Sequence, residues 1–216
     1  MTAACAALAM TFPVRAGVIA VVNPSFETLP AGGLPLGACG AGCSYSEDAI
    51  PGWLVTGNLT GQFQPGVQAG NFAYFNSVPD GITVAYTDGG SISQTVAATV
   101  ALGVTYTLSV DQGVRHDNSD PGIIELLIGG NAPIIAAGIP ASPGDWSTYT
   151  ATYTGLAGDI GKSISIELFS SDVQGDWDNV RLSNDATTGV PEPTTLTLFG
   201  AGFAGIGAMR RRKKAS

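Results

Sequence analysis

The sequence predicts an all-β protein, an antiparallel β-sandwich or jelly roll, followed by a single C-terminal hydrophobic helix. Three observations lead there. Short runs alternate apolar and polar residues with period two, the mark of strands half-buried in an antiparallel sheet. Gly/Pro/Asn/Asp turn signals separate them. Charged residues are only 12% of the chain, against 30 Gly and 13 Pro, which disfavours long charged helices and coiled coils.

The runs, in order, are Val18–Val22, Trp53–Thr56, Phe72–Asn76, Ile82–Tyr86, Ser91–Val96, Val104–Val110, Ile123–Ile128, Ser147–Tyr153, Ser163–Phe169 and Asp176–Leu182. In the sixth, Tyr106, Leu108 and Val110 share one face while Thr105, Thr107 and Ser109 share the other. Turns are signalled by Pro79-Asp80-Gly81, Asp88-Gly89-Gly90, Gly129-Gly130-Asn131 and Pro143-Gly144-Asp145. Before residue 190 no helical stripe exceeds two turns.

Charge is unevenly placed. The net charge is −8, yet five of the nine cations are Arg210, Arg211, Arg212, Lys213 and Lys214. Between residues 18 and 190 three cations face 16 acids, a balance of −13. Such a body repels phosphate backbones, which argues against a nucleic-acid partner.

The two ends read as addresses. Ala3 to Val14 is small and apolar, and Val14-Arg15-Ala16 offers a processing site before Gly17, as in a secretory signal. A start codon placed too far downstream explains the missing basic n-region; an apolar first strand is the alternative. The predicted organisation is a signal at 1–16, a β-sandwich at 17–186 and a sorting segment at 187–216. At the other end, Thr194 to Met209 carries no charge and as a helix spans about 24 Å, a little short of a ~30 Å hydrocarbon core. The cations that follow stop it on the cytoplasmic side, leaving the body outside. Pro191 and Pro193 hold an extended stretch before it.

The motif Pro191-Glu192-Pro193, an apolar segment and a basic stop together resemble the PEP-CTERM sorting signal. That resemblance implies an exosortase as partner and an inner-membrane-anchored intermediate. Cleavage near the motif follows, then release or attachment at the cell surface, in bacteria that make exopolysaccharide. The chain is then a substrate of that chemistry.

Asn23-Pro24-Ser25-Phe26-Glu27, Ile50-Pro51-Gly52-Trp53, Ser91 to Val96 and the closing Trp177-Asp178-Asn179-Val180 follow the order seen in galactose-binding-like jelly rolls, which the body resembles. In those modules the acid of the opening string and the Asp of the closing string meet around a structural Ca2+; Glu27 and Asp178 match these positions, and Asp176 adds to the field. The other reading is that both carboxylates bind a turn without metal. The leading expectation is an exported, non-catalytic surface or matrix protein. The alternative is a carbohydrate-binding module for exopolysaccharide, and the third a secreted hydrolase.

Candidate ligand residues are Trp53, Tyr74 and Trp146, whose rings suit the C–H face of a sugar, with Arg115 as a hydroxyl partner. Aromatic residues in a small sandwich more often build core. His116 is the sole histidine, and no G-x-S-x-G elbow appears, so catalysis has little support. Cys39 and Cys43 remain after processing; export favours a disulfide across Gly40-Ala41-Gly42, and two free thiols are the alternative.

Overall fold

The computed structural model describes residues 17–47, 49–57, 59–66, 73–117, 122–171 and 173–186. They form twelve strands: β1 (Gly17–Ile19), β2 (Ser44–Tyr45), β3 (Leu54–Thr56), β4 (Thr60–Gln64), β5 (Val84–Thr87), β6 (Ser91–Thr99), β7 (Thr105–Gly113), β8 (Ile123–Ile128), β9 (Ile134–Ile135), β10 (Trp146–Thr154), β11 (Ser163–Phe169) and β12 (Gly175–Asn184). One sheet runs β10-β7-β12-β5-β4-β2, with β1 also paired to β12; the second runs β3-β6-β11-β8-β9. Every pairing is antiparallel. Among the described residues the only helical piece is a 3-10 turn at Ala157–Asp159, and no helix is long and apolar enough to cross a membrane. The hydrophobic helix expected over 194–209 lies outside the described residues.

Alternation decides the core. Tyr106, Leu108 and Val110 of β7 turn inward, as do Ile164, Ile166 and Leu168 of β11, and Trp177, Val180 and Leu182 of β12. These strands can alternate cleanly because each is paired on both sides and one face of each sheet is covered by the other. The inward phase of β12 is restored after Trp177 by a bulge between Asp178 and Arg181. Asn179 takes the left-handed φ of 52° there, a conformation that Asn tolerates better than most residues. The displaced Val180 amide donates to the Pro24 carbonyl at 2.8 Å, which ties the opening loop to the closing strand.

Four elements differ from the sequence expectation: the two-residue strands β2 and β9 fall outside every expected run, and two longer stretches change state. The described part of the run at 72–76 is a loop, because its amides are drawn to other loops: Tyr74 N–H donates to Gly66 and Asn76 N–H to Gly144, at 3.3 and 2.8 Å. Instead Thr60–Gln64, which shows no apolar alternation, forms β4. Its Gln62 is fully buried and donates from Nε2 to the Phe26 and Thr28 carbonyls, so a polar side chain fills a core-facing position.

Candidate functional site

The larger sheet carries a second apolar cluster on its outer face. Along β5, Ala85 belongs to the main core, while its neighbours Val84 and Tyr86 join Cys43, Phe63, Tyr74 and Phe75 on the other side. Strand register places Gly61, Tyr86, Asp176, Gly113 and Trp146 in one row across β4, β5, β12, β7 and β10. The two glycines allow other chain segments to lie close on this row. A Cβ on Gly61 would meet the Ser46 carbonyl oxygen at 2.1 Å, and one on Gly113 would meet the Phe75 ring at 2.7 Å. The segment through Ser46 and the loop at 73–78 thus fold over the outer face.

Between them opens a cavity of about 200 Å3. Its walls are Tyr45, Phe63, Tyr74 and Tyr86, its rim includes the joined Cys39 and Cys43, and its polar lining is Glu47, Asp88, Arg115 and Gln174. Phe63 organises the walls, meeting Tyr86 at 5.7 Å and Tyr74 at 6.0 Å, both edge-on at 88°. Hydroxyls anchor the tyrosines: Tyr74 donates to the Cys39 carbonyl at 2.6 Å and Tyr86 to that of Ser46 at 2.9 Å.

Arg115 is fixed from three sides. Its guanidinium carbon lies 4.2 Å from the centre of the Tyr74 ring. Nε and Nη2 donate to the two Asp117 oxygens at 2.8 and 2.6 Å, and Nη1 to Gln174 Oε1 at 2.7 Å. Gln174 Nε2 then donates to Asp176 Oδ1 at 2.8 Å. Burial pushes the Asp176 carboxyl up to about 7, against the opposing pull of Arg115. Burial raises the Tyr86 phenol as well, followed by the field of Glu47. The Arg115 hydrogen bonds hold Asp117 below the usual carboxylate range.

Of the residues singled out in the sequence, Tyr74 and Arg115 meet at this cleft, with the disulfide-bonded Cys39 and Cys43 at its rim. Trp53 is 7% exposed, tilts against Phe26 at 5.4 Å and donates its indole N–H to Asn23, outside the cleft. Trp146 packs on Phe75 at 4.6 Å and donates to the Ser77 carbonyl, bracing the 73–78 loop from behind. His116 Nε2 pairs with the Asn76 amide oxygen at 3.1 Å, so its partner is an amide and not a carboxylate. Pro191, Glu192, Pro193 and the basic stop Arg210–Lys214 lie outside the described residues.

Glu27 and Asp178 both grip the turn at 80–83. Glu27 Oε1 accepts from the Ile82 and Thr83 amides at 2.8 and 2.7 Å. Asp178 accepts from the amides of Asp80 and Asn179 at 2.8 and 2.6 Å. Burial, followed by the fields of Asp80 and Asp111, pushes the Asp178 carboxyl up to about 7 despite those amides. These are the hard oxygen donors that Ca2+ prefers, and each carboxylate keeps acceptor capacity beyond its present bonds. Among the described residues no group of three or more His, Cys, Asp or Glu is placed to hold a metal ion.

Sequence reasoning missed Tyr45, Phe63, Tyr86, Glu47, Asp88 and Gln174 as cleft residues. One signal was present: Val84-Ala85-Tyr86 is apolar throughout, which fits a strand covered on both faces.

Two protein-family models match the chain: HpiC1-like, described as HpiC1 cyclase, over residues 17–183, and the PEP-CTERM protein-sorting motif over residues 189–213. No curated protein matches. Similar solved structures include the CBM22-1–GH10 modules of Clostridium thermocellum xylanase 10B with xylohexaose, at 16% identity and TM-score 0.41 over 66% of this chain and 28% of that one. The C-terminal family 22 carbohydrate-binding module of the same enzyme is similar at 10% identity and TM-score 0.43, over 74% and 99%. A third is TmCBM61 with β-1,4-galactotriose, at 14% identity and TM-score 0.35, over 76% and 97%. The chain thus spans under a third of the first of these structures and nearly all of the other two. The tail marks an exported protein that an exosortase sorts.

Proposed function

The chain belongs to the HpiC1-like family and ends in a PEP-CTERM sorting motif, and from that premise we propose that it is an exported surface protein that binds exopolysaccharide in its outer-face cleft. The observation that carries this reading is a cavity of about 200 Å3 walled by Tyr45, Phe63, Tyr74 and Tyr86 with polar groups at its margin. That is below the ~300–1,000 Å3 of drug-sized pockets, a size that suits one sugar ring of a longer chain. The exposed margin of the aromatic wall receives the C–H side of the ring, while Arg115 and Gln174, held by their own partners, present fixed polar edges to hydroxyls. Binding, not catalysis, is the role.

In this reading residues 1–16 are removed on export, 17–186 are the working sandwich, and 187–216 are the sorting segment. The stretch 194–209 spans the inner membrane as a helix until the exosortase acts near Pro191-Glu192-Pro193. Glu27 and Asp178 hold a structural Ca2+ that stiffens the turn at 80–83 and takes no part in ligand contact.

A glycan array probed with the full chain in polyoxyethylene-detergent micelles tests the binding role. Retained glycans should be lost by Tyr74→Ala and weakened by Arg115→Gln. Retention indifferent to both substitutions, or no retention, would refute the cleft as the site.

A second reading is favoured by Asp176, a buried carboxyl that holds its proton to about pH 7 directly behind Gln174. Asp176 does not itself line the cleft, so in this reading it acts through the hydrogen-bonded Gln174 on a ligand held there, in line with the cyclase for which the family is named. Turnover of a bound ligand that Asp176→Asn abolishes while binding persists would select this reading over simple recognition.

A further inference from the structure

Resting on the cleft as a sugar site, we infer that the sugar unit it prefers carries a free, protonated amine. Among the described residues lining the cleft the charged groups are Glu47, Asp88 and Arg115. Arg115 is already neutralised by the two-pronged bond to Asp117. Glu47 and Asp88 are half-buried, and among the described residues no hydrogen bond or ion pair reaches either carboxylate. Both bear on the Tyr86 phenol, so their charge is felt at the aromatic wall itself.

Two carboxylates with no partner among the described residues, at the margin of an aromatic-walled cleft, make a site for a cation. The carboxylates supply the countercharge for a cation seated at the cleft margin, where the Tyr74 face is already taken by Arg115. The same field repels uronates, sulfated and phosphorylated sugars. An N-acetylated ring retains the stacking contact and forgoes the ion pairs. The preferred unit is therefore a hexosamine with its amine unblocked, as in a partly deacetylated exopolysaccharide.

The test compares a β-1,4-linked glucosamine trimer with its fully N-acetylated counterpart, by calorimetry on the full chain in polyoxyethylene-detergent micelles. The free-amine trimer should bind about tenfold tighter, the size two partly exposed ion pairs supply, and the margin should shrink as salt is added. In the double variant Glu47→Gln/Asp88→Asn the preference, read as the ratio of the two trimers' affinities, should fall to near unity. Equal binding of both trimers, or preference for the acetylated one, overturns the amine and leaves the cleft reading standing, provided Tyr74→Ala abolishes it. A preference that survives the double variant overturns it too, because diffuse attraction to the acidic body then accounts for it. If neither trimer binds, the amine inference fails, and the array described above decides the cleft reading separately.

Discussion

Phe63→Ala removes the side chain around which the cleft is assembled. Phe63 is 4% exposed and meets Tyr86, Tyr74 and Phe75 at 5.7, 6.0 and 6.3 Å. A buried Phe→Ala change costs about 3–5 kcal/mol, from lost transfer energy and the cavity left behind. For a domain of this size each kcal/mol shifts the melting temperature by about 2–4 °C, so a fall of roughly 6–20 °C is expected. Phe63→Leu keeps much of the volume but loses the edge-on ring contacts, and should cost about 1–2 kcal/mol. Urea unfolding followed by tryptophan fluorescence reads both clusters, since Trp53 and Trp177 lie in the main core and Trp146 borders the second. A loss below about 1 kcal/mol for Phe63→Ala, or an early separate transition already present in the parent chain, would refute the reasoning. The outer-face cluster would then not share the cooperative unit that holds the cleft walls in place.

Two further outcomes are expected. The Lys162 ammonium, donating to Asp159 Oδ1 at 2.7 Å, and next the Tyr153 hydroxyl hold the Asp159 carboxyl down at about 2. A folded pKa below the unfolded one contributes stability that is present above about pH 4 and is lost as pH falls toward 2. Lys162→Met should therefore move the acid-unfolding midpoint to higher pH; superimposable acid profiles would contradict this. If Glu27 and Asp178 hold Ca2+, EDTA should lower the melting temperature and added calcium restore it, through preferential binding to the folded state; an indifferent melt would remove the ion.

The sandwich was legible where strands are covered on one face only. Tyr106-Thr107-Leu108-Ser109-Val110 and Ser163-Ile164-Ser165-Ile166 alternate because β7 and β11 each face the core once, and both appear at the expected positions. Thr60–Gln64 was not legible, because Gln62 is buried through hydrogen bonds to the Phe26 and Thr28 carbonyls that no periodicity records. The run at 72–76 misled for the opposite reason: Tyr74 and Phe75 are apolar because they cover the outer face as loop residues. The cleft was only partly visible for the same cause. Tyr74 and Arg115 stood out by residue type, but Tyr45, Phe63 and Tyr86 become a wall only once the segment through Ser46 closes over Gly61. Alternation tells which residues share a face; it does not tell which face a distant loop will cover. The tail was legible for a simpler reason, since motif, apolar length and basic stop are all read in sequence order.

The most direct measurement is co-sedimentation of the full chain with purified exopolysaccharide from the bacterium that produces it. The parent protein should pellet with the polymer, Tyr74→Ala should stay in the supernatant, and Glu47→Gln/Asp88→Asn should pellet more weakly, while both variants melt as folded proteins. Failure of the parent to pellet, or pelleting that both cleft variants share in full, would contradict a sugar-binding role for the outer-face cleft.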